Sequence, residues 1–178
     1  PAGPSCHPKQ RDQEPQFFTA SIYENILYGN PKATDGQLQD LIDHMVPPQW
    51  FDSFPKGLHT IIGPRGLGLS VGQKQMIALL RMLLRNSSIL LLDEATSGLD
   101  YDTENYVMRV LRPVLKSKTA IMVTHKLTQI DLADRIIVMH KGRIVGFGDH
   151  QKLFSENLFY RKLISTEIDN MPARAQEF

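Results

Sequence analysis

Hydrophobic positions recur along this chain with two different periods, and the changes of period divide it into elements. Over residues 35–45, Leu38, Leu41, Ile42 and Met45 fall three or four apart, which predicts one face of a helix stopped by Pro47-Pro48. The same spacing links Met76, Ile77, Leu80, Leu83 and Leu84 and predicts a helix reaching about Arg85, with Asn86 as its stop. Ser70 stands at its N-cap, and Gln73 three positions later completes a capping box, each side chain satisfying the other residue's backbone donor. Val107, Val110, Leu111 and Val114 predict a third helix over residues 103–115, whose last turn Pro113 weakens or ends. Shorter helices are predicted through Tyr23, Ile26 and Leu27, capped by Thr19 or Ser21, and over residues 127–133, 150–154 and 157–164.

Other stretches lack the helical period. Residues 88–92 and 119–124 are continuous apolar runs bounded by turn signals, which predicts strands buried on both faces of a parallel sheet. Residues 135–140 and 142–146 read as two strands joined by a tight Lys141-Gly142 turn. Trp50, Phe51 and Phe54 form a small satellite core ended by Pro55-Lys56-Gly57. Residues 57–68 carry four glycines around Ile61-Ile62, which argues for a tight loop system over a regular element. Strands alternating with helices imply an α/β layer with a parallel sheet. The expected organisation is an irregular tail over residues 1–12, a partial domain over 13–166 and a second tail over 167–178. Within the domain, residues 13–86 are mainly helical and 87–166 form an α/β lobe.

Composition narrows the classes. At 178 residues and 42% hydrophobic content, the chain is long enough for one ordinary core. A net charge of +1, with twenty basic residues scattered along the chain, leaves no electrostatic footprint for nucleic acid. The single cysteine, Cys6, excludes an internal disulfide and a cysteine-based zinc site, and fits a reducing compartment. No apolar run approaches the roughly 20 residues needed to cross a bilayer. The first residue is Pro1, in a segment without periodicity, so a fragment of a longer protein is expected.

Three groups of residues carry chemistry. In Leu69-Ser70-Val71-Gly72-Gln73, the exposed donors at a helix N-terminus and the positive end of its dipole form an anion site, and Gly72 admits close approach of an oxygen. Standing alone, this pentad would be an ordinary capped helix. Asp93 and Glu94 close a predicted central strand at its carboxyl end, where ligands of open α/β sheets bind. One can hold a magnesium ion through water while the other polarises an attacking water as general base; alone, the pair would be an acidic turn. His125 follows the second strand and would lie near the same sheet edge, within reach of a terminal phosphate or its attacking water. His7, His44, His59, His140 and His150 lack that setting and read as solvent-facing or turn residues. No Gly-x-x-x-x-Gly-Lys-Ser/Thr phosphate loop occurs in the chain.

In this order and at these separations the motifs make the chain resemble the ATP-binding cassette of ABC transporters. Leu69-Ser70-Val71-Gly72-Gln73 looks like the signature motif, residues 89–93 the Walker B strand and Glu94 the catalytic glutamate. Ser97-Gly98-Leu99-Asp100 looks like the D-loop, His125 the switch histidine and Gln13 the Q-loop glutamine. Gln13-Glu14-Pro15-Gln16-Phe17-Phe18, Ser21-Ile22-Tyr23-Glu24-Asn25-Ile26 and Gly63-Pro64-Arg65-Gly66 are similar to the multidrug and peptide exporter branch. The resemblance implies a P-loop NTPase-like (RecA-like) parallel sheet, of which this would be the C-terminal portion, together with the helical signature subdomain.

It also implies ATP and Mg2+ as ligands. Glu94, His125 and Gln13 would be catalytic, Ser70, Val71, Gly72, Gln73 and Asp100 would contact ATP, and Asp93 and Gln13 would serve the magnesium ion through water. Implied partners are a second cassette, paired head to tail, and transmembrane domains lying upstream, with no nucleic acid. The setting implied is the cytosolic face of a membrane. Ser70 and Gly72 would bind the terminal phosphate of a nucleotide held by the partner cassette, while Glu94 and His125 serve this chain's own site.

The sequence also departs from the family pattern. Without the phosphate loop and its lysine, weak binding of ATP in cis and an inactive isolated chain are expected. Val71 replaces the first glycine of the signature, Met76 a common arginine and Pro64 a usual glutamate. The leading expectation is the ATP-hydrolysing domain of an exporter, coupling hydrolysis to transport. The alternative is a catalytically incompetent, truncated cassette that only pairs with a partner. A cassette ATPase of the chromosome-maintenance or translation type ranks last, because no long heptads precede Leu69. An incomplete sheet would expose an edge and apolar surface, so the isolated chain is expected to aggregate.

Overall fold

A computed structural model describes residues 15–170. The chain divides into two compact units, residues 1–86 and 87–178.

In the first unit, β1 (Ala20–Ser21) leads directly into helix α1 (Ile22–Leu27), followed by α2 (Asp35–Met45), short 3-10 turns, β2 (Ile61–Ile62) and α3 (Val71–Leu84). Each helix starts on a capping box: Ser21 with Glu24, Thr34 with Gln37, and Ser70 with Gln73. Three reciprocal caps fix where these helices begin, because each satisfies two backbone donors that the helix itself leaves open. Helix α3 packs on α1 and α2, and Ile22, Ile26, Leu38, Ile42, Met76, Ile77 and Leu80 form the core. The buried stripe of α3 takes in Leu79, whereas Leu83 is only half-buried. The glycine-rich stretch is not wholly irregular: Ile61 and Ile62 pair antiparallel with Ser21 and Ala20. A two-residue strand is too short to show a period of two, which is why the pattern reads as loop.

The second unit contains β3 (Ile89–Asp93), α4 (Tyr101–Lys116), β4 (Thr119–Val123), α5 (Leu127–Ile130), β5 (Ile136–His140), β6 (Arg143–Gly148), α6 (His150–Glu156) and α7 (Leu158–Asn170). Strands β3 and β4 are parallel, with Ile89 opposite Thr119 and Asp93 opposite Val123. The expectation that both are buried on two faces is corrected: Leu90 and Leu92 are buried, but Leu91 is 70% exposed and Ile121 57%. Strand β3 buries only alternate residues, as a sheet covered on one face does however apolar the run, and β4 buries none, with Met122 half-buried and its other four residues exposed. Ile89, Leu91, Ile121 and Val123 therefore share the open face.

Helix α4 continues through Pro113, whose ring lies on its exposed side. Its buried stripe is Glu104, Val107, Met108, Leu111 and Leu115, rotated from the expected one so that Val110 and Val114 are only half-buried. Strands β5 and β6 form an antiparallel hairpin closed by Lys141 and Gly142, both at positive φ, as a tight primed turn requires. One face of the hairpin meets α6 and α7 through Val138, Leu153, Tyr160 and Ile164. Gly146 permits that approach, since a Cβ there would lie 2.5 Å from Asn157 Nδ2.

Candidate functional site

The carboxyl edge of β3 and β4 brings the first group together. Asp93 ends β3 with an exposed side chain. Glu94 N–H still donates to the Val123 carbonyl at 3.0 Å, but its φ of +45° turns the chain out of the strand. Positive φ is costly for a residue with a Cβ and is concentrated at functional sites. The turn carries the Glu94 carboxylate to the loop after β4, where its Oε1 lies 3.2 Å from His125 Nδ1. Both side chains remain more than half exposed, at 52% and 60%. The parallel register explains the meeting: with Asp93 opposite Val123, the next residues of both strands leave the sheet side by side.

Behind this pair is a polar cluster that the hydrophobic pattern misses. Glu104 Oε1 accepts from Thr96 Oγ1 at 2.9 Å and from Gln129 Nε2 at 3.0 Å, and Glu104 Oε2 accepts from Lys126 Nζ at 2.6 Å. Gln129 Nε2 also donates to Thr96 Oγ1 at 2.7 Å, and Lys126 Nζ to the Thr96 carbonyl at 3.3 Å. Thr96, Glu104 and Gln129 are buried. A signal was present: Glu104 lies three and four residues ahead of Val107 and Met108, so an acidic residue occupies the apolar stripe and must find partners.

Asp100 caps α4, its carboxylate accepting the Thr103 N–H at 3.0 Å. That backbone donor, aided by the Thr103 hydroxyl, holds the Asp100 carboxyl below the usual aspartate range.

The helix N-terminus in the first unit has the expected construction. Ser70 Oγ accepts the Gln73 N–H at 3.2 Å, and Gln73 Oε1 accepts the Ser70 N–H at 2.8 Å. Gln73 Nε2 donates to Ser53 Oγ at 2.9 Å, so this side chain is occupied in capping and in tethering the aromatic 3-10 turn. The N–H groups of Val71 and Gly72 have no intrahelical acceptor by the geometry of a first turn. The Val71 side chain is 63% exposed beside them.

Gln13 lies outside the described residues. The segment after it is held by Arg81 of α3, which donates to the Gln16 carbonyl at 2.8 Å and the Asn25 carbonyl at 2.8 Å. The guanidinium also lies over the rings of Phe17 and Tyr28. Asn25 is fully buried and bonds both backbone groups of Phe18, making a second satisfied polar knot.

Among the described residues no three His, Cys, Asp or Glu side chains are grouped to hold a metal ion. The exposed carboxylate of Asp93 suits a magnesium ion whose other ligands are waters and phosphate oxygens, the usual arrangement for that ion.

The profile of the ABC transporter family matches residues 10–97. ABC transporter B family member 4 of Dictyostelium discoideum is 40% identical over 156 residues, covering 88% of this chain and 20% of that protein. ABC transporter B family member 14 of Arabidopsis thaliana is 41% identical over 156 residues, 87% of this chain and 12% of that protein. An ATP-dependent lipid A-core flippase of Neisseria meningitidis serogroup A is 40% identical over 151 residues, 85% of this chain and 24% of that protein. The chain thus spans less than a quarter of these relatives' lengths. A solved structure of a bacterial Atm1-family ABC exporter with ATP bound superposes with a TM-score of 0.80 at 33% identity, over 87% of this chain and 27% of that one.

Proposed function

The chain belongs to the ABC transporter family and has the P-loop NTPase fold of its ATP-binding cassette, and from that premise we propose that it works as the C-terminal part of an exporter cassette that hydrolyses ATP. The observation that carries this reading is the contact between Glu94 and His125 at 3.2 Å on the carboxyl edge of a parallel strand pair.

Glu94 accepts a proton from water as that water attacks the terminal phosphorus, and the bond from phosphorus to the ADP oxygen breaks. His125, hydrogen-bonded to Glu94, orients the carboxylate and lies close enough to meet the terminal phosphate. A magnesium ion, held by Asp93 through waters, would neutralise charge on the phosphates. Asp100 and the signature residues Ser70, Val71, Gly72 and Gln73 would serve the interface with a second cassette. There, the Ser70 hydroxyl and the Val71 and Gly72 N–H groups face the phosphate bound by that partner. Gln73 contributes by fixing the helix start, since both ends of its amide are bonded within the unit. Transmembrane domains elsewhere in the protein would convert closure of the paired cassettes into transport, at the cytosolic face of the membrane. No described helix is long and apolar enough to cross a membrane.

The test joins the chain behind a phosphate-loop half taken from a relative and changes Glu94 to Gln. Loss of a general base should lower turnover by about 10^2-fold or more while nucleotide still binds; full hydrolysis in Glu94→Gln would remove Glu94 from this role.

A further inference from the structure

We propose that Lys126 and Thr96, joined through the buried carboxylate of Glu104, are positioning residues that hold the Glu94 and His125 loops at catalytic separation. The inference rests on the roles assigned above to Glu94 and His125.

The exposed pair cannot hold itself. An ion pair or hydrogen bond between two side chains that are more than half exposed contributes little and does not hold two loops in place. The separation must be set from behind. Thr96 is two residues beyond Glu94, and Lys126 is the residue after His125. Both converge on Glu104, which projects from the rigid helix α4. Each Glu104 oxygen has a defined donor: Thr96 and Gln129 on Oε1, Lys126 on Oε2. Lys126 also reaches across to the Thr96 carbonyl at 3.3 Å, so one ammonium group bonds the helix anchor and the loop of the general base together.

The surroundings make the clamp stiff. With Glu104 at 7% and Thr96 at 3% exposure, a charge-assisted contact is little weakened by water or salt, and any displacement leaves a buried polar group unpaired. The backbone then transmits the position. Ser97 N–H donates to the Glu94 carbonyl at 3.0 Å, closing the loop between clamp and base, and Lys126 N–H donates to Thr124 Oγ1 at 3.0 Å beside His125. A partly buried ion pair such as this one, with the Lys126 side chain 25% exposed, is not by itself a strong source of stability. Its effect here is to leave the two loops one arrangement.

Two readouts test this on Lys126→Met, Lys126→Arg and Thr96→Val, with Glu94→Gln as reference. In the chain as it stands, amide exchange over residues 94–99 and 124–130 should speed up in Lys126→Met and Thr96→Val, while α1, α2 and the β5–β6 hairpin keep their protection. In the chain joined to a phosphate-loop half, Lys126→Met should lower kcat by about 10- to 100-fold with KM for ATP within about twofold, the result of misplacing a group by an ångström or less. Lys126→Arg, which keeps the charge and its reach, should restore most of that loss. If Lys126→Met does not fold, Thr96→Val carries the test, with the same loss in kcat. Unchanged kcat in folded Lys126→Met or Thr96→Val, or equal losses in Lys126→Arg and Lys126→Met, would overturn the proposal. Hydrolysis persisting in Glu94→Gln would instead overturn the assignment of Glu94, leaving the exchange result to judge the clamp alone.

Discussion

At the scale of single residues, close approach and burial set the demands. Gly29 lies against α3 so tightly that a Cβ would fall 2.1 Å from the Arg81 carbonyl oxygen, which is backbone and cannot swing aside. Gly29→Ala should therefore cost about 1–3 kcal/mol, read as a lower urea midpoint with unchanged slope. Glu94 and His125 were legible as neighbours because each follows an apolar strand run and both strands end at one sheet edge, where they meet at 3.2 Å. Lys126, Thr96 and Gln129 were not. Lysine beside histidine after a strand reads as a solvated turn, and only the folded chain shows its ammonium group 2.6 Å from Glu104. Asn25 was hidden for a related reason: it lies in the helical face of Ile22 and Ile26, and its amide replaces ladder bonds that Phe18 would otherwise lack.

At the scale of elements, helix starts were read better than strand environments. Capping boxes are local, so Ser70 with Gln73 marked the start of α3 correctly from sequence, whereas burial of β3 and β4 depends on what lies over them. The sequence shows the run Ile89, Leu90, Leu91 and Leu92 but not that one face is open. The start of α4 makes a testable case of its own. Because Asp100 has its folded pKa lowered by the Thr103 N–H, its charged form stabilises the fold. That contribution is present above the unfolded value of about 3.9 and is lost as pH falls through the depressed folded value. Asp100→Asn keeps a capping oxygen without the charge. The variant should be less stable than the parent at neutral pH, and the gap should close below about pH 4, measured by urea unfolding across that range.

For the whole molecule, the open apolar faces have the largest effect. Ile89, Leu91, Ile121 and Val123 on one sheet, and Ile137, Met139, Ile144 and Phe147 on the hairpin, leave much hydrophobic area in water. The chain covers 12–24% of the lengths of the three relatives compared above, and its isolated form should associate through these faces. Leu91→Lys combined with Ile121→Glu puts opposite charges on directly paired positions, so it should reduce self-association in sedimentation without weakening the strand pair. Equal association in parent and variant would assign the effect to the hairpin face. The flush pairing of β3 with β4 also decides where the chain tolerates a change in length. Each residue added within a strand pushes the remainder of that strand along by about 3.3 Å and flips its side chains to the opposite face. One residue inserted near the start of β4 would thus turn Met122, its one half-buried residue, to the open face and carry His125 out of reach of Glu94. The turn between α4 and β4, at the far end of the sheet, is free of that arithmetic, so insertions accumulating there over time would leave the pair at the carboxyl edge untouched.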